Sequence, residues 1–385
     1  MTFNIGSKMK FGIFIGPYHK PGINPTLSFQ QDLEIIEQMD RLGFDEVFVG
    51  EHHSGGVETI ADPLLFIAAA AERTKRVHFG TGAITLPWHH PFQVADRLVQ
   101  ISHQTRGRIH FGAAPGQLVK DAQMMGTDPL KHRKMMEESL DCIVRLLKGE
   151  TVTYKTDWFT LQDAKLQMRP YSDFDVLIVS GVSPNAPYNA GKVGGHMLSV
   201  AATNPAGIEA LAGQWKILED SYAEFGHGVP DRGGWRLMGP MHLAPTKEQA
   251  LEEVRFGLSK IEDYRAHIHP QAQGPDYWDL ESVVDMMNDT GAAIIGTPEM
   301  ARNQISRLIE KSGGFGSYLL MGVDWANHED TLRSHRLFAQ EVMPYFDGTI
   351  DPMLASFDQV MEDYSGAEIT AAAQDISRME YAARK

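Results

Sequence analysis

Cysteine is nearly absent. Cys142 is the single thiol in 385 residues, which excludes an internal disulfide framework. It sits in the helical pattern SLDCIVRLL, where a small core residue is expected. Basic residues are in deficit, 35 against 50 acidic ones, for a net charge of −15. That balance argues against sequence-independent nucleic-acid binding and against anionic membranes. No apolar run approaches the span of a bilayer. The first residues, MTFNIGSKMK, lack the apolar stretch of a secretory signal, so the expected location is cytoplasmic. A Walker sequence is missing, as is HExxH. The strand exit nearest to a dinucleotide fingerprint, Gly80 to Thr85, fails at the third glycine.

What is present is a regular alternation. Hydrophobic residues make up 43% of the chain and charged residues 22%, an ordinary globular balance with enough chain for a sizeable core. Eight apolar runs read as strands: Phe11 to Ile15, the run through Val47 to Val49, Val77 to Gly82, Arg108 to Ala113, Val176 to Val179, His196 to Val200, Leu237 to Leu243 and Tyr318 to Val323. Helical patterns separate them. Ser28 is expected to cap the first helix and Gly43 to end it. Asp62-Pro63 is a cap and first-turn pair for the second. Ala68 to Ala71 in that helix suit either internal packing or a subunit interface. Thr151 to Leu161 reads as a hairpin around Thr156-Asp157. Eight strands and helices in this order call for an α/β fold of the (β/α)8 TIM-barrel type, with insertions after strands four and seven and a helical tail. The expected division is one barrel domain over residues 1–346 and a tail over 347–385. Tyr264 to Ile295 breaks the rhythm, with one short helical piece near Leu280 to Met287, and is expected to be a lid-like insertion with Tyr277 and Trp278 as apolar plugs.

The chain is organised around FDEVFVGEHHSGG, Phe44 to Gly56. Side chains alternate along a strand. His52 would then share a face with Glu46, Phe48 and Gly50, with Glu51 and His53 on the other. Polar groups recur at each predicted strand exit, including Tyr18, His19, Trp88, His89, Gln117, Lys120, Asp121, Ser180, Ser183 and Asn185. In a barrel these exits form one rim. Two readings fit. A metal-dependent hydrolase needs converging His and carboxylate ligands, which adjacent histidines on a regular strand do not supply to one ion. A site for an organic cofactor suits the small residues Gly50, Gly82, Ala83, Gly112, Ala113, Ala114 and Gly116, which let a flat ring approach the backbone. Trp88 and Met124-Met125 suit either an apolar substrate pocket or plain packing.

The motifs FDEVFVGEHH, DPLLFIAAAAERTKRVHFGTGAITLPWHHP, RGRIHFGAAPGQ, VSGVSP and GTPEM, in this order, resemble the bacterial luciferase-like flavin-dependent monooxygenase family over about Lys10 to Phe346. Their wording is most similar to the limonene 1,2-monooxygenase-like branch and less so to diketocamphane monooxygenases. The resemblance implies a two-component monooxygenase. It would use reduced FMN from a separate NAD(P)H:flavin reductase and act on a small apolar substrate, such as a terpene, cyclic ketone or aldehyde, through a C4a-peroxyflavin. A homodimer is also implied. His52 matches the catalytic histidine, with an acid/base role near neutrality. Glu51 matches a flavin-lining residue, and Gly82-Ala83 a non-prolyl cis peptide beneath the flavin ring. Ala114 and Gly116 match the flavin-contact loop, with Asp121 an acidic position beyond it. Ser180, Gly181, Val182, Ser183 and Asn185 match the turn that contacts the phosphate. The chain departs from the luciferase itself at Ala114, in place of a reactive cysteine, and at Pro115, in place of a phosphate-holding arginine. Light emission is therefore not expected. Two rivals share the fold: an F420-dependent oxidoreductase that transfers hydride, and a flavin-binding barrel without catalysis.

Overall fold

A computed structural model describes residues 8–268, 279–362 and 365–384. Eight parallel strands close into a barrel. They are β1 (Lys10–Tyr18), β2 (Glu46–Val49), β3 (His78–Thr81), β4 (Ile109–Ala114), β5 (Val176–Ser180), β6 (His196–Ser199), β7 (Arg236–Gly239) and β8 (Ser317–Val323). Each pairs with its sequence neighbours, and β1 pairs with β8 through Phe11–Tyr318 and Ile13–Leu320. Pairing of β3 with β4 at Phe79–Ile109 and Gly80–His110 leaves no open edge. All eight expected strands are present, so the barrel reading holds and an open doubly wound sheet does not.

The strands are apolar on both faces because both are covered. Outward residues such as Ile13, Val47, Phe79 and Phe111 pack on the helices. Inward residues Phe14, Phe48, Leu177, Leu198, Met238, Leu319 and Met321 fill the barrel. Room for the Phe48 ring comes from Gly80, where a Cβ would lie 2.2 Å from that ring. Below this layer sits a buried ionic cluster. Arg236 Nη2 donates to Glu46 Oε1 at 2.8 Å and to Asp175 Oδ2 at 2.7 Å, and the His110 ring stands 3.9 Å from Glu46. Arg236 and Glu46 are each 1% exposed.

The helix boundaries follow cap chemistry. Asp62 accepts from Leu64 N and Leu65 N at the start of Pro63–Ala71, and Gly43 ends Pro25–Leu42 at φ 87°. The cap of Pro25–Leu42 is Asn24, not Ser28. The Asn24 side chain accepts from Thr26 N, while Ser28 lies inside the first turn and is buried. An Asn-Pro pair supplies the cap oxygen and the proline-compatible first position together, which a serine three residues further on cannot do. Ala70 and Ala71 are buried, whereas Ala69 faces outward beside Leu65, which is 73% exposed.

The expected seventh strand, Leu237 to Leu243, is two strands. Pro240 has no N–H to give to the barrel ladder. After it, Met241–Leu243 leaves the barrel and pairs in parallel with Ile294–Gly296. The insertion expected over Tyr264 to Ile295 is more regular than its composition suggests, and its expected helical piece near Leu280 to Met287 is present. Tyr264 and Arg265 belong to the helix Leu258–Ile268, a further helix spans Leu280–Thr290, and the end is a strand. Tyr277 and Trp278 lie outside the described residues. The hairpin after β4 pairs Val152–Lys155 with Thr160–Ala164. Beyond the barrel, the helices Asp351–Glu362 and Ser365–Ala383 hold no buried residue among those described. No described helix is long and apolar enough to cross a membrane.

Candidate active site

The barrel's inward layer ends at Phe14, Met238 and Met321. Above it, at the C-terminal ends of the strands, a cavity of about 380 Å³ opens. One wall is made of residues with little or no side chain: Gly50, Gly82, Ala83, Ala114 and Gly116. The Gly82–Ala83 peptide bond is cis. Glu51, His52, Tyr18, Glu58 and Arg265 form a polar wall, and Thr85, Gln117 and Asn204 add hydroxyl and amide groups.

Strand alternation does not extend to the histidines. Regular β2 stops at Val49, and His52 N is already bonded to Ile60 O at 3.1 Å, so the backbone turns. Glu51 and His52 consequently line the same cavity, against the expectation that they oppose each other. Glu51 is held by three donors: Thr85 N at 2.7 Å, His89 Nε2 at 2.6 Å and His53 Nε2 at 3.1 Å. Burial pushes its pKa up, but these bonds outweigh that and hold its carboxyl below the usual range. His53 packs edge-on against Trp88, with ring centroids 5.3 Å apart.

His52 lies between two carboxylates. Nδ1 faces Asp121 Oδ2 at 3.2 Å and Nε2 faces Glu58 Oε2 at 3.4 Å. Burial lowers the imidazole pKa, yet the Asp121 hydrogen bond and the Glu58 and Asp121 charges raise it above its ordinary value overall. Asp121 is fully buried and lies behind His52. It also accepts from Ser54 Oγ and from His53 N. Burial disfavours its charge, but these bonds, that of His52 foremost, hold its pKa below the carboxylate range. Glu58 is lifted to about 7, because burial and the Asp121 charge outweigh the pull of His52.

Of the residues singled out in the sequence, the cavity brings together Glu51, His52, Gly82, Ala83, Ala114, Gly116 and Gly181, and with them Tyr18, Gly50 and Gln117. Asp121 orients His52 and does not line the cavity. Ser180 is buried below the rim, and Val182 is half exposed. Ser183 accepts from Asn185 N at 3.4 Å at the start of the helix Asn185–Val193, next to Gly181 and outside the cavity wall. His19 serves elsewhere, bridging Asp32 at 3.1 Å and Asp324 at 3.0 Å. Met124 and Met125 are exposed and line nothing here. Several lining groups carry no site signal in the sequence, among them Glu58, Thr85, Asn204 and Arg265. Glu58 and Asn204 follow strand exits but carry no periodic signal. Arg265 was masked by the irregular composition around it.

The chain belongs to the luciferase-like monooxygenases: the family model described as "Luciferase-like monooxygenase" matches residues 9–314. The enzyme class is thus monooxygenase. Over 387 aligned residues the chain is 50% identical to limonene 1,2-monooxygenase of Rhodococcus erythropolis, covering 100% of this chain and 99% of the relative. It is 39% identical to 4-hydroxyprotoasukamycin monooxygenase of Streptomyces nodosus subsp. asukaensis, covering 92% and 97%. Among solved structures, the oxygenating constituent of 3,6-diketocamphane monooxygenase of Pseudomonas putida, a type II Baeyer–Villiger monooxygenase in complex with FMN, is similar in fold. Its TM-score is 0.72 at 24% identity, over 88% of this chain and 98% of that one.

Proposed function

We propose that the protein is the oxygenase component of a two-component, FMNH2-dependent monooxygenase that places one atom of O2 into a small apolar molecule, first of all a terpene such as limonene. The observation that carries this reading is the cavity itself. It brings an imidazole flanked by two carboxylates into one cavity with a set of glycine and alanine residues. Its size lies in the range of small-molecule and cofactor sites, roughly 300–1,000 Å³.

The residues present suit a flavin. The side-chain-poor wall admits a flat ring against the backbone, and Thr85, Gln117 and Asn204 offer groups matching polar ring edges. Gly181 and the first-turn N–H groups of Asn185–Val193 are suited to the phosphate, since a helix start favours an anion. When bound, reduced flavin would supply the electrons that activate O2. His52 would hold and return a proton at Nε2, with Asp121 fixing the ring through Nδ1. Phe14, Met238 and Met321 offer an apolar surface to the substrate. The helix Leu258–Ile268, which places Arg265 in the cavity wall, would limit water entry, and the lid role of the Tyr264 to Ile295 insertion is read from that helix, residues 269–278 lying outside the described ones. A separate flavin reductase, a homodimeric assembly and the division into barrel and tail belong to the same reading. So does the substrate, taken from the 50% identical relative's name.

The test is turnover of limonene under ¹⁸O2 with FMN, NADH and a flavin reductase, with product read by mass spectrometry. One ¹⁸O per product is expected. His52→Ala should reduce product at least 100-fold, in line with the usual worth of an acid/base group, and leave flavin affinity within about threefold. Equal turnover in the variant removes His52 from the chemistry. Oxygen-independent hydride exchange with F420 would replace the whole reading.

A further inference from the structure

Both nitrogens of the His52 ring face carboxylates, Nδ1 within a hydrogen bond and Nε2 at ion-pair distance, but the carboxylates are not alike. Asp121 is closed off. It receives three donors and is fully buried behind the imidazole. Glu58 lies on the cavity side, on the loop that follows β2, and lines the cavity wall together with His52. Its side chain is 6% exposed, and its Oε2 lies 3.4 Å from His52 Nε2. Close to that oxygen is Gly16 of β1, where a Cβ would lie 3.1 Å away. The Tyr18 hydroxyl donates to the same carboxylate.

We propose that Glu58 is the proton store of His52, the group to which the imidazole passes its Nε2 proton and from which it takes that proton back. The inference rests on the reading of His52 as the acid/base residue. The step is a single proton transfer. Imidazolium and carboxylate become imidazole and carboxylic acid, and the trio Asp121–His52–Glu58 carries a net charge of −1 before and after. No electron moves and no further reactant is needed. Asp121 keeps the Nδ1 proton in place throughout, so the ring does not change tautomer. Glu58 acts through His52 and is in that sense a positioning residue.

Every element packed around Glu58 contributes a group to the balance. β1 brings Tyr18, the β2 exit brings His52, and the Val119–Met124 helix brings Asp121. The Leu258–Ile268 helix brings Arg265 and Tyr264. Arg265 is itself paired with Glu262 at 3.0 Å, so its attraction for Glu58 is only partial. Glu51, the remaining nearby carboxylate, is committed to Thr85, His53 and His89. Burial and the Asp121 charge thus press a proton onto Glu58, His52 and Arg265 oppose them, and the group is poised near neutrality. Affinity matched to the operating pH is what a group needs in order to accept and return a proton at comparable rates.

The test uses the full-length chain with Glu58→Gln, which keeps shape and a bond to Tyr18 but cannot store a proton, and with Glu58→Asp, which keeps the charge at longer reach. Ring-nitrogen NMR of ¹⁵N-histidine-labelled protein, with His52 assigned from His52→Gln, follows the titration without any turnover. The His52 midpoint should fall by about one pH unit or more in Glu58→Gln and by less in Glu58→Asp. An unchanged midpoint in Glu58→Gln overturns the proposal. Should Glu58→Gln not fold, the Asp variant decides by the same sign. The second readout is the pH dependence of kcat, in which the Gln variant should lose the limb nearest pH 7 and the Asp variant should keep it displaced. If wild-type protein oxygenates nothing, the functional reading fails while the NMR shift still reports the pairing. If it oxygenates and the Gln variant keeps the wild-type pH profile, the proton store alone is refuted.

Discussion

Replacing Arg236 with Met should destabilise the barrel, and the loss should deepen as the pH rises. Arg236 is 1% exposed and bonds both Glu46, also 1% exposed, and Asp175. In the native protein, burial raises the Glu46 pKa, but Arg236 outweighs it and holds the carboxyl below its ordinary value. That contribution is present above the unfolded carboxylate pKa and is lost as pH falls through the folded one. Methionine reverses the sign. Burial then acts unopposed, so the folded pKa of Glu46 rises above the unfolded value. Stability in the variant is greatest below that value and falls as pH rises through the new pKa. His110, held down to about 4 by burial and by the Arg236 charge, would be freed to take up a proton beside Glu46 and soften the loss in acid. Leaving a buried charge unpaired costs about 3–5 kcal/mol. With an unfolding entropy of about 2.1 cal/mol/K per residue and 385 residues, that is a fall in Tm of roughly 4–6 °C. Differential scanning calorimetry at pH 5 and pH 8 is the assay. The deficit should be larger at pH 8, and adding Glu46→Met should recover much of it. An equal deficit at both pH values would refute the electrostatic account and leave only lost packing.

Two further outcomes follow from other contacts. His19 sits between Asp32 and Asp324, and although burial pulls its pKa down, these partners raise it to about 10. Its stabilisation is therefore complete below the unfolded value of about 6.5 and fades as pH rises toward 10; urea midpoints should fall over that window in the wild type and stay flatter in His19→Gln. Gly112→Ala would place a Cβ 2.0 Å from Thr81 O, a backbone atom, whereas Thr81→Val removes only the hydroxyl that accepts from Gly112 N at 2.8 Å and donates to Gly112 O at 2.7 Å. The alanine variant should lose roughly 3 kcal/mol or fail to accumulate, and the valine variant about 1–2 kcal/mol, as read by chemical denaturation.

The barrel was legible because each strand is buried on both sides and therefore reads as an unbroken apolar run between glycine and proline signals. The half of the site made by small residues was legible for a related reason: glycine and alanine gather at the strand exits. The polar half was less so. Glu58 lies outside any periodic element, and Arg265 comes from an insertion two hundred residues away in sequence. The ionic cluster beneath the cavity did leave a trace, since Glu46, His110 and Arg236 are charged or titratable residues within apolar strands, but a single residue in a run does not name its partner. The cap at Asn24 competes with a serine signal at Ser28, and the Asn-Pro pair carries the stronger chemistry. The split at Pro240 was hidden because apolar residues continue on both sides of it.

That split has an architectural consequence. The short ribbon of Met241–Leu243 and Ile294–Gly296 clasps the two ends of the intervening segment together before the chain rejoins the barrel. The helix that delivers Arg265 to the cavity wall and the helix Leu280–Thr290 both lie between these two strands, and they pack on Val323 and Trp325 at the exit of β8 as well as on the ribbon. The wall that Arg265 supplies is thereby coupled to the end of β8 through a second core, separate from the one that fills the barrel.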